Sequence, residues 1–151
     1  VVFVYQIGGG KLETSAYIIK PHGLMFRKEV RAMIESAGLT ITESKNLVIP
    51  KWALEIIYSD LAEKYRDVVF RPFKNALAEV GLVTGQDAVD VLLQITGTKL
   101  DPADCAPGSI RFEFGEQGPF ITEGIRCYRN IIHRPRNMVE AEDNIKVFRM
   151  L

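Results

Sequence analysis

Apolar residues recur along this chain with two different periods, and the switches between them divide it into elements. Residues 15–19 read as a short buried strand that stops at Lys20-Pro21-His22-Gly23, where proline and glycine prevent simple continuation. From Glu29 the apolar positions Val30, Met33, Ile34 and Ala37 keep helical spacing up to Gly38, which predicts a helix over about 29–37. Leu39, Ile41 and Leu47-Val48-Ile49 indicate a β segment. Pro50 suits the first turn of a second helix, over about 50–65, whose apolar side is Trp52, Ile56, Leu61 and Tyr65. Phe70-Arg71-Pro72-Phe73 interrupts the chain, and Ala76, Leu77 and Val80 then give a short helical face ending at Gly81. Ala88, Val91, Leu92 and Ile95 mark a helix over 86–95. Residues 96–109 are turn-rich and predict a long ordered loop, of the kind that often carries function. A strand over 125–132 and an amphipathic helix over 139–148 complete the pattern, with no internal repeat. Helices interleaved with short strands imply an α/β or α+β sandwich.

Length and charge narrow this further. A chain of 151 residues suits one domain, expected to span 1–151. Nineteen basic and nineteen acidic residues cancel, which argues against nucleic acid or an anionic membrane as partner, so any anion site has to be local. Cys105 and Cys127 have no metal-ligand spacing, and the apolar start is only seven residues long before Gly8-Gly9-Gly10. A cytoplasmic protein with reduced thiols is expected.

Two histidines, His22 and His133, are the candidates for chemistry at neutral pH. An imidazole in a strand is most often structural, yet it is also suited to accept a phosphoryl group and release it again. Arg126, Arg129, Arg134 and Arg136 surround His133 in sequence, either as phosphate ligands or as a solvated basic rim. Lys20 follows a strand and precedes a turn, and Arg111 ends the turn-rich stretch. Gly8-Gly9-Gly10 lacks the lysine and hydroxyl ending of a phosphate-cradling loop and is set aside.

Three separated stretches carry a resemblance: Ile18-Ile19-Lys20-Pro21-His22-Gly23, Asp101 to Arg111, and Arg129-Asn130-Ile131-Ile132-His133. In this order they resemble the nucleoside diphosphate kinases, over about 15–148. The resemblance implies an α+β fold, a ferredoxin-like βαββαβ sandwich with its antiparallel sheet covered by helices, usually assembled as a homohexamer or homotetramer. It implies ping-pong transfer of the terminal phosphoryl group from ATP or another nucleoside triphosphate to a nucleoside diphosphate through phosphorylated His133. Mg²⁺ would be bound through the nucleotide phosphates rather than by protein ligands. Lys20 and Asn130 would contact the ribose hydroxyls and nearby phosphate, Arg111 would bind phosphate, and Phe73 would stack on the base. Tyr65 matches the family tyrosine near the histidine.

Departures from the family pattern lie close to the chemistry. Arg134-Pro135-Arg136 follows His133 where the family has a Gly-Ser-Asp-like run, and Asn144 stands for the glutamate that orients the histidine. Leu93 or Gln94 replaces a phosphate-binding arginine, and Leu100 a threonine. Arg134 or Arg136 is expected to replace the lost cation. A catalytically weakened nucleotide-binding or scaffold domain of the same fold is the competing reading. Residues 114–124 look like an inserted loop that lids the site. Between Phe73 and Gln86 the chain leaves no room for the family's usual strand. Incomplete coverage of the chain there is the favoured account, the other being that residues 1–14 are an N-terminal extension or a displaced strand that fills its place.

Overall fold

Ten-residue strands β2 (Gly10–Ile19) and β4 (Leu77–Gln86) form the centre of the sheet in the computed structural model, which describes residues 6, 7 and 10–151. They pair antiparallel from Leu12↔Gln86 to Ile19↔Glu79. On the far side of β4 lies β3 (Thr40–Val48), also antiparallel. The free edge of β2 takes a two-residue strand at each end: β1 (Gln6–Ile7) opposite Lys11 and Gly10, and β7 (Ile132–His133) opposite Ile19 and Ile18. With α1 (Arg27–Ser36) between β2 and β3 and α4 (Ala88–Thr96) between β4 and β7, the order β7-β2-β4-β3 is the ferredoxin-like βαββαβ arrangement.

Alternation along the central strands sorts the core into two layers. Ala16, Ile18, Ala78, Val80 and Leu82 face α2 (Lys51–Ile57), α3 (Glu63–Phe70) and α6 (Met138–Met150). Tyr17, Ile19 and Val83 face α1 and α4, together with Ile110 of the short α5 (Ile110–Phe114). Among the described residues no helix is long and apolar enough to cross a membrane.

Four expectations are corrected. The strand judged absent between Phe73 and Gln86 is β4 itself, and the helix expected at Ala76–Gly81 does not form. Spacings of three and four at Ala76, Leu77 and Val80 mimic a helical face, whereas the set facing one core layer, Ala78, Val80 and Leu82, has period two. β1 accordingly does not occupy that place. It lies across β2 from β4, while residues 10–14 belong to β2 and residues 1–5, 8 and 9 lie outside the described residues. The single helix over 50–65 is two helices, α2 and α3, broken at Tyr58 where ψ is 38° and Leu61 N–H bonds Tyr58 O. Ser59 and Asp60, residues that favour turns over helix interiors, follow the break.

The strand expected over 125–132 survives as β6 (Ile125–Cys127) and, after a break, β7. Part of the expected inserted loop is a hairpin, because β5 (Phe120–Thr122) pairs with β6 through Glu123–Gly124. Both turn residues have positive φ (53° and 75°), as a right-twisting two-residue hairpin requires. Arg71 holds the tip through Glu123 at 3.2 Å, and Gly118 N–H holds the base through Asp101 Oδ1 at 3.0 Å.

Candidate functional site

His133 is the last residue of β7, and the two-residue period determines which way it points. Ile132 packs into the α1/α4 layer, so His133 is turned towards α2 and α6. There its Nε2 lies 2.8 Å from Asn144 Oδ1, an amide oxygen that can only accept. Nε2 therefore carries the ring proton and Nδ1 keeps its lone pair. The Tyr58 ring tilts against the imidazole at a centroid distance of 5.1 Å.

Three cations gather around this ring. Lys20 Nζ donates to Asn130 Oδ1 at 2.7 Å, and Asn130 Nδ2 donates to Leu100 O at 3.0 Å, which ties the end of β2 to the 96–109 loop. Arg111, on α5, is 4% exposed and donates to Lys99 O and Ile132 O, both at 2.8 Å. Arg134, 6% exposed, donates to Gly97 O at 2.7 Å. Among the described residues none of the three is ion-paired, and the Nε atoms of both arginines are buried without partners, as is the Tyr58 hydroxyl.

Such crowding of like charge away from water destabilises each charged form. Burial, with Arg111 and Arg134 behind it, brings Lys20 down to about 7. Burial and Arg134 bring Arg111 down to about 9. His133 falls to about 3, chiefly through burial; its bond to Asn144 opposes this as the next largest effect, and Lys20, Arg111 and Arg134 each push it further down. The imidazole is thus neutral throughout the physiological range. An anion placed among these groups would relieve the mutual repulsion, so the arrangement is suited to hold an anion beside an uncharged imidazole.

Not every residue expected at the site is there. Phe73 is 2% exposed and sits in the α2/α3/α6 layer, with its ring 6.4 Å from Tyr58, so no ring face is free to stack on a base. Tyr65, half-buried on α3 beneath Lys64 Nζ, is not the tyrosine against the histidine; Tyr58 is. Sequence periodicity missed Tyr58 because it ran one helix through the break at which that residue lies. Arg136 lies at the surface, bound to Asp60 at 2.6 Å and Glu140 at 2.6 Å. Arg129 is likewise at the surface, near Glu116 and over the Phe120 ring, and Arg126 is exposed on β6. Lys20, Arg111, Asn130, His133 and Arg134 are the residues the fold brings together.

A sequence model of nucleoside diphosphate kinases matches residues 13–149. The chain belongs to the nucleoside diphosphate kinase family. It is 31% identical over 146 residues to the nucleoside diphosphate kinase of Pyrococcus horikoshii, covering 90% of this chain and 84% of that one. Identity to the Archaeoglobus fulgidus kinase is 29% over 147 residues, covering 91% and 86%. Two solved kinases share its fold: that of Aquifex aeolicus (TM-score 0.77, 20% identity, 91% of this chain and 94% of that one) and that of Borrelia burgdorferi with bound vanadate and ADP (TM-score 0.76, 23% identity, 91% and 86%). In this chain β4 is an integral strand of the ferredoxin-like sheet, which settles the apparent shortage after Phe73.

Proposed function

We propose that this family member transfers the terminal phosphoryl group of a nucleoside triphosphate to a nucleoside diphosphate by a ping-pong route through phosphorylated His133. The observation that carries the reading is a neutral imidazole, its Nε2–H committed to Asn144 and its Nδ1 lone pair retained, set among Lys20, Arg111 and Arg134. In the first half-reaction Nδ1 attacks the γ-phosphorus, an N–P bond forms, the bond to the β-phosphate oxygen breaks, and the diphosphate leaves with that electron pair. The second half-reaction reverses these steps on a different diphosphate. Lys20, Arg111 and Arg134 neutralise the phosphate oxygens, each charge-assisted bond being worth about 1.5–3 kcal/mol. Asn130 holds Lys20 and meets the ribose side. Arg134 carries the expected compensation for the missing arginine, since Arg136 is engaged by carboxylates at the surface.

The groups converging on His133 are cations and amides, so the donor set offers Mg²⁺ no ligand of its own and fits an ion that arrives on the nucleotide phosphates. Its chemistry there is to neutralise phosphate charge. We further propose a cytoplasmic homo-oligomer, tetramer or hexamer, in line with the family resemblance.

The decisive experiment incubates the protein with γ-labelled ATP, quenches it in alkali to preserve phosphohistidine, and compares His133→Ala. Acid-labile label is expected on the unaltered chain alone. Nucleotide binding without label would overturn the phosphotransfer reading.

A further inference from the structure

Two residues before the proposed nucleophile the backbone takes a conformation that the side chain there opposes. Ile131 has φ 61°, in the left-handed region that a β-branched residue rarely enters. Ile132 N–H bonds Asn130 O at 2.8 Å across it, closing a three-residue turn of the strained kind. Strain of this sort persists only where the surroundings over-determine it.

Those surroundings come from one segment, the 3₁₀ helix Pro21–Phe26 and the lysine before it. Lys20 N–H donates to Ile131 O at 2.8 Å. Ile131 N–H donates to His22 Nε2 at 3.4 Å. Gly23 supplies the clearance, because a Cβ there would lie 2.8 Å from both Ile131 O and Ile131 Cβ. Both polar backbone groups of Ile131 are thus held from the Lys20–Gly23 side, while its side chain is buried in the core.

We propose that His22 is a positioning residue for His133, its neutral imidazole accepting the Ile131 amide proton and so holding the turn that aims Asn130 and the nucleophile. A histidine accepts at Nε2 only in the neutral form with the proton on Nδ1; once protonated it has two N–H donors and repels the amide. The charged groups that act on His22 are Lys20, on the strand end beside it, and Arg129, on the segment leading into the turn. With burial as the leading cause, these two lower its pKa to about 4 and keep the acceptor available. Losing it would strand a buried N–H and remove the reason for the positive φ, letting Asn130 and His133 turn away from the geometry set by Lys20 and Asn144.

This inference rests on His133 as nucleophile, and its test has a readout that does not. His22→Gln puts an amide oxygen near the position of Nε2 and cannot be protonated; His22→Leu removes the acceptor. For His22→Leu, labelling of His133 in a single turnover is expected to slow about tenfold or more. Its nucleotide Kd should rise, because Asn130 shares the turn, but by less than the labelling rate falls, and the Ile131 amide should lose hydrogen-exchange protection. His22→Gln should restore most of the labelling rate and keep it at acid pH values where the unaltered protein, with His22 protonated near pH 4, has lost it. Unchanged Ile131 protection in His22→Leu, or a His22→Gln variant as slow as His22→Leu, overturns the proposal. If the unaltered protein takes no label, the phosphotransfer reading fails and Ile131 exchange alone decides the role of His22.

Discussion

At the scale of single residues, the site depends on what a neutral partner does to an imidazole. A carboxylate on Nε2 would stabilise the protonated ring, whereas the Asn144 amide fixes the tautomer and adds no charge. With burial as the leading cause and three cations adding to it, the ring is left well below its ordinary pKa of 6.5. Asn144→Asp keeps the geometry and adds the charge, so the His133 pKa is expected to rise from about 3 by roughly 1–3 units, as opposite charges in contact usually produce. An NMR titration of the imidazole reads this directly, and an unmoved titration would mean that Asn144 is not its partner. His133, Lys20, Arg111 and Asn130 were all readable as candidates from three stretches of sequence. Tyr58 was not, because the helical spacing of Trp52, Ile56 and Leu61 runs on past it and outweighed the turn-favouring Ser59 and Asp60.

At the scale of elements, β4 shows how packing overrides local preference. It contains Ala78, Glu79 and Gly81, all poor strand formers, yet it is one of the two central strands, paired on both sides. Gly81 is present because the buried Tyr17 ring crosses over it: a Cβ there would lie 2.4 Å from two ring carbons. The ring cannot easily give way, since Tyr17 Oη donates to the buried Glu79 at 2.6 Å and Glu79 is in turn held by Arg27 and Arg31. Gly81→Ala is therefore expected to destabilise the fold by about 1–3 kcal/mol, the usual cost of overpacking, seen as a lower urea midpoint with unchanged slope. An unchanged midpoint would show that Tyr17 is free to move. Glycine within an apolar run reads equally well as a helix stop, and only the ring above it selects the strand.

For the molecule as a whole, the same burial that keeps the histidines neutral makes stability depend on pH. His22 and His133 have folded pKa values of about 4 and about 3, each below the unfolded value of 6.5. Between these limits the unfolded chain binds more protons than the folded one, so stability falls as pH drops below 6.5 and this loss levels off below the folded values. With both groups acting, the slope approaches about 2.7 kcal/mol per pH unit, twice the value for one proton. Urea unfolding at pH 7 and pH 5 should show the loss, and His22→Gln should reduce it. Equal midpoints at the two pH values would mean that the histidines are not buried neutral.

Alternation and helical spacing were enough for most elements, and the three motif stretches, through the family resemblance, for the fold class and for His133 as the candidate nucleophile, because each rests on residues close together in the chain. Tertiary structure alone decided the rest. That β4 is a strand depends on Tyr17, 64 residues away from Gly81 and directly opposite it in the sheet register. That Phe73 is core, that Arg136 belongs to Asp60 and Glu140, and that Arg134 turns inward depend on which helices pack over the sheet. Charge and burial add up over neighbours in space, and those neighbours are set by strand pairing rather than by distance along the chain.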